Sequence, residues 1–456
     1  MTSAETWRRA VFFVTFVNYA IAHLARKCYT TVKTELVAAG VDKTILSQMD
    51  TGFMLAYAAG TFISGRFADR FRQNVLISVG LFGSAVCLGA IQLLDASRMI
   101  KRDHGLGFFL FVLAQLTHGA FQSLGGPVNT SVMGAWWPKK GRGLVFGLWT
   151  CHQYVGDIGA ALVSAYILHR GWPWQWALLV PAVASGVWGV INLAFLPNSP
   201  SQLGIEAEGE ANAPLVSSVP ARGRASEHEH GGVGFMDVLR IPGVLSYALL
   251  FGSLKLANYA LFFWLPFFLS LHFPPDRANT ISSLYSVGLM PGGVIVGLLS
   301  DALGGRRACV ITSSMCLLVP LLWVFAAFAD SMAPALLLPL LVLMGILIGG
   351  PNNIISSAVA ADLAEHPSVG GNARVLGTIT GVISGSGSVT AALGLAVIGP
   401  LQEAGGWPAI WYLLIACVCG GIALMAPKVH RELTAGSSVS KSPTCGDPAM
   451  HTSASA

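Results

Sequence analysis

Twelve apolar segments, each long enough to cross a lipid bilayer, follow one another along this chain of 456 residues. Crossing about 30 Å of hydrocarbon takes about 20 helical residues, and a helix satisfies its own backbone hydrogen bonds in lipid. Charged residues make up 11% of the chain, against roughly 25% in soluble domains. We therefore predict an all-α membrane protein with twelve transmembrane helices. The segments lie at about residues 10–36, 46–66, 74–94, 107–135, 142–168, 174–196, 243–271, 279–300, 308–329, 333–361, 375–401 and 407–427.

A polar stretch divides these segments into two groups of six. Residues 197–240 are rich in Glu, Ser, Pro, Gly and His, a composition that cannot bury a core. We expect an N-terminal six-helix bundle at 1–196, a cytosolic flexible linker at 197–240, a C-terminal six-helix bundle at 241–428 and a cytosolic disordered tail at 429–456.

The two groups of six carry a weak internal repeat. Asp69 follows the second segment and Asp301 follows the eighth, 301 − 69 = 232 positions later. Trp-Pro pairs open the sixth and twelfth segments at Trp172 and Trp407, which are 407 − 172 = 235 positions apart. Similar offsets in unrelated motifs indicate a duplicated, pseudo-symmetric bundle.

The loops after the second and eighth segments carry a candidate conformational latch. Asp69 can accept hydrogen bonds from helix-end amides while Arg66 or Arg70 pairs nearby, and Asp301 and Arg306 are the counterparts in the second half. The first loop resembles the Gly-x-x-x-Asp-Arg signature of the major facilitator superfamily, whose halves are parallel repeats. Such pairs would hold the cytosolic side together in one transport state, and ordinary topogenic charge is the alternative.

Basic residues orient the predicted helices. They collect at the termini and in the even-numbered loops, which places both termini in the cytosol. The loop after the third segment, with Arg98, Lys101 and Arg102, is an exception. Arg8 and Arg9 precede an apolar run, but no small-residue cleavage pattern follows, so we expect a retained first helix.

Two adjacent cations, Arg26 and Lys27, interrupt the first apolar segment. An unpaired cation in lipid costs at least about 2.5–3.5 kcal/mol. The two side chains point about 100° apart on a helix, so they cannot both face one cavity. Because the arginine fork donates two parallel hydrogen bonds to a phosphate, we assign anion binding to Arg26. Lys27 takes a supporting or helix-pairing role, unless a shorter helix leaves both at the interface.

The seventh segment contains a second cation, Lys255, with Asn258 on the same face and Tyr259 one turn away. The repeat places this helix opposite the first across a central cavity. Arg26 and Lys255 together could grip a dianion, one cation from each half. A structural lysine with its own partner is the alternative for Lys255.

Other polar side chains lie within the apolar segments. His152 can donate to phosphate and change charge near neutral pH, and Tyr57 and Tyr285 are candidates to line the cavity. We take Asp157 as the one acid well inside a helix, either a counter-ion for Lys27 or another cation, or a proton carrier. Packing is favoured over substrate recognition for Gln115, His118, Gln122, Asn129, Asn352 and Asn353.

Several function classes are disfavoured by the sequence. The net charge of +5 lies in short clusters between apolar segments, which does not suggest nucleic acid. No nucleotide motif, paired carboxylates at a membrane face or metal-ligand spacing is visible, so we expect no cofactor, no metal and no enzymatic activity.

At three places the sequence resembles the organophosphate:phosphate antiporters of the major facilitator superfamily. Arg26-Lys27 resembles the Arg-Lys pair in their first helix, and Leu148 to His152 resembles their Trp-Asn-x-x-His segment. Lys255 to Pro266 is similar to the eukaryotic sugar-phosphate exchanger branch. The resemblance implies Arg26 and His152 as phosphate ligands. Bacterial members have a second arginine where this chain has Asn258, with Lys255 as the candidate substitute.

The resemblance implies a secondary transporter of a phosphorylated sugar or glycerol phosphate, exchanged for inorganic phosphate across a lipid bilayer. The alternatives are a proton-coupled organic anion or sugar transporter, with Asp157 or His152 carrying the proton, and a transporter-like receptor that binds ligand without turnover. The branch includes endoplasmic reticulum members, so we expect the endoplasmic reticulum membrane, with the plasma membrane or another organelle as alternatives.

Overall fold

The computed structural model describes residues 3–137, 142–205, 235–328, 331–364 and 375–439. Throughout these ranges the regular structure is helical and no strand occurs, so the prediction of an all-α membrane protein is confirmed. The α-helices are α1 (Ser3–Cys28), α2 (Lys33–Ala39), α3 (Lys43–Arg70), α4 (Gln73–Ala96), α5 (Met99–Arg102), α6 (His104–Gln122), α7 (Gly125–Trp136), α8 (Arg142–Trp149), α9 (His152–His169), α10 (Trp176–Phe195), α11 (Phe235–Arg240), α12 (Val244–Leu269), α13 (Pro275–Ala302), α14 (Arg307–Phe328), α15 (Pro334–Ile354), α16 (Ala360–Ala364) and α17 (Val375–Val439).

Eight stretches of the described chain are long and apolar enough to cross a membrane. Helices α1, α3 and α9 fall outside this set, and each carries buried charged or polar side chains. Helix α17 contains a break at Gly406, whose φ of 66° is not helical, so it comprises two consecutive helices. These segments are consistent with the twelve crossings predicted from the sequence. The eight stretches are Gln73–Ala96, His104–Trp136, Trp176–Phe195, Val244–Leu269, Pro275–Ala302, Arg307–Phe328, Pro334–Val359 and Gly381–Thr434.

Several predicted segments are interrupted rather than continuous helices. The first passes through a 3₁₀ turn at Tyr29–Val32 before α2, and the tenth through a π-turn at Ile355–Val359 before α16. The fifth breaks between α8 and α9, immediately before His152. Such irregular turns inside membrane helices are common at functional sites.

Hydrogen bonds join the two halves at the end opposite the N-terminus, where α1 ends and α3 begins. Thr34 Oγ1 lies 2.6 Å from Ser270 Oγ, and Asn279 Nδ2 donates to the Thr31 carbonyl at 3.0 Å. At the same end, Gln48 Nε2 donates to the Ala396 carbonyl at 3.2 Å. These contacts close the molecule at this end, which we call the outer end.

Parts of the predicted domain layout lie outside the described residues. These are 206–234, which form most of the expected linker, and 440–456, which form most of the expected tail. Helix α17 continues through 429–439, the first part of that tail.

Candidate functional site

Arg26 is buried near the C-terminal end of α1, with 4% of its surface exposed. Its guanidinium carbon lies 4.4 Å from the ring centroid of Tyr57 and 5.3 Å from that of Phe53. Its Nη2 donates to Gln122 Oε1 at 3.4 Å. The Nε atom has no hydrogen-bond partner among the described residues. Aromatic faces stabilise the cation, while part of its donor capacity stays available to an anion.

Gln122 of α6 is held in one orientation by its neighbours. Its Nε2 donates to the Ala22 carbonyl at 3.0 Å and to Ser84 Oγ at 3.1 Å. His118 Nε2 lies 3.3 Å from the same nitrogen. Because the nitrogen is committed to these partners, the oxygen points to Arg26. The glutamine assigned to helix packing therefore also orients the guanidinium, a role that its position on a glycine-rich helix did not reveal.

His152 begins α9 and is packed edge-on between two aromatic rings. Its ring centroid lies 4.4 Å from those of Tyr19 and Trp149. Neither ring nitrogen has a hydrogen-bond partner among the described residues. The Tyr19 hydroxyl lies 3.4 Å from the Tyr57 hydroxyl, and the Tyr57 ring contacts Arg26. Two tyrosines thus connect the two predicted phosphate ligands.

Asp157 pairs with a histidine that sequence reasoning did not single out. Its Oδ1 lies 3.0 Å from Nδ1 of His23, and both residues are buried. The helices approach closely here, because a Cβ at Gly156 would lie 2.2 Å from the Ala20 carbonyl oxygen. A glycine at this position lets α1 and α9 bring the two groups together.

A second buried acid corrects the description of Asp157 as the one acid inside a helix. Asp50 of α3 accepts a hydrogen bond from Lys33 Nζ at 2.6 Å, and neither side chain is exposed. The Lys33 ammonium also lies 4.0 Å from the Trp264 ring of α12. The sequence signal for this pair is an acid at position 50, inside the second apolar segment.

Lys27 contacts the other half of the molecule. Its ammonium donates to the backbone carbonyl of Phe262 in α12 and lies 4.3 Å from the ring of that residue. Pro266 lies four residues further along α12, so this carbonyl lacks the amide donor of a regular helix. The Lys27 ammonium therefore supplies a hydrogen bond to a carbonyl oxygen that has no amide donor because of Pro266. This contact between α1 and α12 corresponds to the helix-pairing role predicted for Lys27.

The predicted residues of α12 and α13 form a separate set of contacts. Lys255 Nζ donates to Ser388 Oγ at 3.0 Å and to the Ser384 carbonyl at 3.3 Å. The Tyr285 hydroxyl donates to Asn258 Oδ1 at 2.7 Å. Lys255 thus has partners on α17, and the contacts described for Asn258 stay within the C-terminal half. Tyr259 packs against Phe262 and Phe263, with ring centroids 6.1 Å apart in both cases.

The candidate latch is described only in part. The side chains of Arg66 and Asp69 lie outside the described residues, and Arg70 is exposed at the end of α3. In the second half Asp301 lies 3.6 Å from Arg307. The ion-pair partner described for Asp301 is thus the residue next to the predicted Arg306.

Buried cations inside a bundle of apolar helices are characteristic of substrate pathways in multi-pass membrane transporters. The comparison with known families agrees, since residues 15–374 match the family model described as Major Facilitator Superfamily. The chain belongs to the major facilitator superfamily. It is a membrane transporter and not an enzyme, as the sequence predicted.

Two relatives show which branch of the superfamily this chain resembles. The chain is 32% identical to "Putative glycerol-3-phosphate transporter 1" of Arabidopsis thaliana, over 92% of this chain and 88% of that protein. It is 31% identical to "Sugar phosphate exchanger 3" of Xenopus laevis, over 93% and 92%. The resemblance to the sugar-phosphate exchanger branch is therefore confirmed.

Solved structures show the same fold. A bacterial homologue of the human lysosomal transporter Spinster, in an inward-facing unoccupied conformation, matches with a TM-score of 0.64 at 15% identity, covering 94% of this chain and 96% of that one. A single-residue mutant of the nucleoside transporter NupG matches with a TM-score of 0.67 at 15% identity, covering 92% and 99%. The predicted major facilitator fold is confirmed.

Proposed function

We propose that this protein exchanges a phosphorylated sugar or glycerol phosphate for inorganic phosphate by alternating access. The observation that carries the proposal is the buried guanidinium of Arg26, stacked on Tyr57 with its Nε unpartnered among the described residues. A buried arginine fork favours a planar or tetrahedral oxyanion over a neutral substrate. The printed names of the plant and vertebrate relatives support a phosphate ester as the substrate.

Arg26 and His152 are the proposed phosphate ligands. Both are buried, and both keep nitrogen atoms without a hydrogen-bond partner among the described residues. Tyr19 and Tyr57 lie between them and offer hydroxyl groups to the same ligand. On the C-terminal side we propose Asn258, Tyr259, Tyr285 and Lys255 for the organic part or for phosphate in another transport state.

The observed arrangement fits one state of an alternating-access cycle. The two halves, which we propose to be bundles at 1–196 and 241–428, are joined at the outer end by hydrogen bonds and by Lys27. We propose that both termini are cytosolic, so that this state is closed to the opposite side. The endoplasmic reticulum remains our proposal for the membrane.

The test uses purified protein in liposomes loaded with inorganic phosphate. Entry of labelled glycerol-3-phosphate or glucose-6-phosphate is expected with internal phosphate and not with empty liposomes. Arg26→Lys keeps the charge but loses the planar fork, so it serves as the matched variant. Equal entry into loaded and empty liposomes would refute exchange, and binding without entry would indicate a receptor.

A second candidate, proton-coupled transport, is favoured by the buried pair of His23 and Asp157 at 3.0 Å. A carboxylate and an imidazole in contact can share a proton that is taken up on one side and released on the other. Entry into empty liposomes that follows an imposed pH gradient, and that is lost in Asp157→Asn, would establish this alternative.

A further inference from the structure

A cavity of about 460 Å³ lies away from the central site, at the end of the C-terminal half opposite the outer end. The start of α12, the start of α14, α16 and the end of α17 surround it. Its size falls in the range of pockets that hold small molecules or headgroups. The polar and charged lining residues are Ser246, Tyr247, Arg307, Asp362, Lys428, Arg431 and Glu432.

Both carboxylates of this cavity already have partners. Asp362 Oδ2 accepts a hydrogen bond from Arg307 Nε at 2.5 Å. The two oxygens of Glu432 accept amide hydrogens from the first turn of α14, at 3.0 and 2.9 Å. These contacts stabilise the end of α14, because an anion is favourable at a helix N-terminus. The acids are therefore committed to Arg307 and to backbone amides.

Lys428 is held over the start of α12. Its ammonium lies 4.9 Å from the Tyr247 ring. A Cβ at Gly243 would lie 2.1 Å from Lys428 Nζ, and the φ of Gly243 is +108°. The positive φ favours glycine at this position, and the missing Cβ leaves room for the lysine ammonium beside the start of α12. A cation at a helix N-terminus is unfavourable unless an anion accompanies it.

Arg431 adds a second cation to the same cavity. It lies three residues after Lys428 on α17, hence on the same helix face, and its side chain is exposed. Lys428 and Arg431 therefore lie together beside the N-terminal end of α12. The two carboxylates of the cavity do not neutralise them, because Asp362 pairs with Arg307 and Glu432 accepts hydrogen bonds from backbone amides. The arrangement is complementary to a phosphate group.

The position of the cavity indicates what kind of molecule carries the bound phosphate group. Leu424 lines the cavity and is 44% exposed, and Leu245 on the neighbouring helix is 53% exposed. Exposed apolar side chains of α12 and α17 therefore lie close to the charged cavity. Basic residues at helix ends attract anionic lipids at a membrane surface. We propose that the cavity binds the headgroup phosphate of an anionic phospholipid, through Lys428 and Arg431 beside the N-terminal end of α12.

Competition between lipids tests this proposal with the purified full-length protein. The protein is incubated with equal amounts of phosphatidylglycerol and phosphatidylcholine in detergent, and retained lipid is counted by native mass spectrometry. The wild type is expected to retain phosphatidylglycerol preferentially. Arg431→Gln should lower this preference about five-fold, and the double variant Lys428→Gln/Arg431→Gln further, since each surface cation contributes about that factor.

The control removes two cations at the outer end, in Lys101→Gln/Arg102→Gln, and should leave retention unchanged. Equal retention of the two lipids by the wild type would overturn the proposal. So would an unchanged preference in Arg431→Gln, which alters an exposed residue and is expected to fold. Inorganic phosphate is tested in parallel by thermal unfolding. Stabilisation by phosphate that Arg431→Gln reduces, without preference for the anionic lipid, would make this an aqueous phosphate site and refute the lipid assignment.

Discussion

Replacement of Lys27 by Met is expected to weaken closure of the outer end. The Lys27 ammonium donates to the Phe262 carbonyl and also lies over the Phe262 ring. This carbonyl has no amide donor within α12, because the residue four positions later is Pro266. This contact joins the two halves, so it exists only while they are together at this end. A hydrogen bond to a charged group contributes about 1.5–3 kcal/mol, which corresponds to a shift of about 10- to 150-fold in the ratio of the two states.

Labelling of an introduced cysteine measures the shift. Ser270 contacts Thr34 across the halves and is partly buried, so Ser270→Cys should react with a membrane-impermeant maleimide only when the outer end opens. Lys27→Met should raise the labelling rate, with the same protein lacking the introduced cysteine as background. Lys255→Met is the matched control. It removes another lysine with buried contacts, but its partners lie within the C-terminal half.

A double-mutant cycle with Pro266→Ala tests the proposed cause. This substitution restores an amide donor for the Phe262 carbonyl, so loss of Lys27 should no longer leave that carbonyl unsatisfied. The effect of Lys27→Met should then shrink by about 1 kcal/mol or more, the coupling typical of residues in contact. An equal increase in labelling with and without the Pro266→Ala substitution, or no increase at all, would refute the reasoning.

Three further predictions follow from the buried charges and close contacts. Arg26→Lys should lower the initial exchange rate in liposomes at least about ten-fold at equal protein insertion, because the paired donors are lost; wild-type exchange would remove Arg26 from the site. Asp50→Asn should lower the free energy of unfolding by about 3–5 kcal/mol, since Lys33 is left buried without its counter-charge. The double variant Asp50→Asn/Lys33→Met should recover part of the lost stability in thermal unfolding. Equal melting temperatures for the single and the double variant would contradict this account. Gly156→Ala should destabilise the protein by about 1–3 kcal/mol, because its Cβ would lie 2.2 Å from the Ala20 carbonyl oxygen; an unchanged melting temperature would show that α1 can move away.

Much of the fold was predictable because lipid leaves few options. The apolar segments follow from local composition, and they led to the observed helical fold. The breaks before α2 and α9 were not predicted. A short 3₁₀ turn or break leaves the apolar pattern intact, so hydropathy along the chain does not reveal it.

The candidate site was only partly predictable. Arg26 and Lys27 were singled out because cations are costly in lipid. They point about 100° apart on the helix, and the structure gives them different contacts, Arg26 with Tyr57 and Lys27 with Phe262. Their partners were not identified. Gln122 was assigned to packing, and the Lys33–Asp50 pair went unnoticed, although each residue is buried in the structure.

The sequence by itself determined that this chain is a bundle of membrane helices with cations inside. Those properties are local, since each depends on the composition of one segment and on the energy of charge in lipid. Only the tertiary structure decided which groups are in contact. Lys27 meets the Phe262 carbonyl, and His23 meets Asp157. Such pairs depend on the rotation of each helix about its axis and on close approaches that glycine permits. Packing between distant segments fixes both, and no pattern within one segment records them.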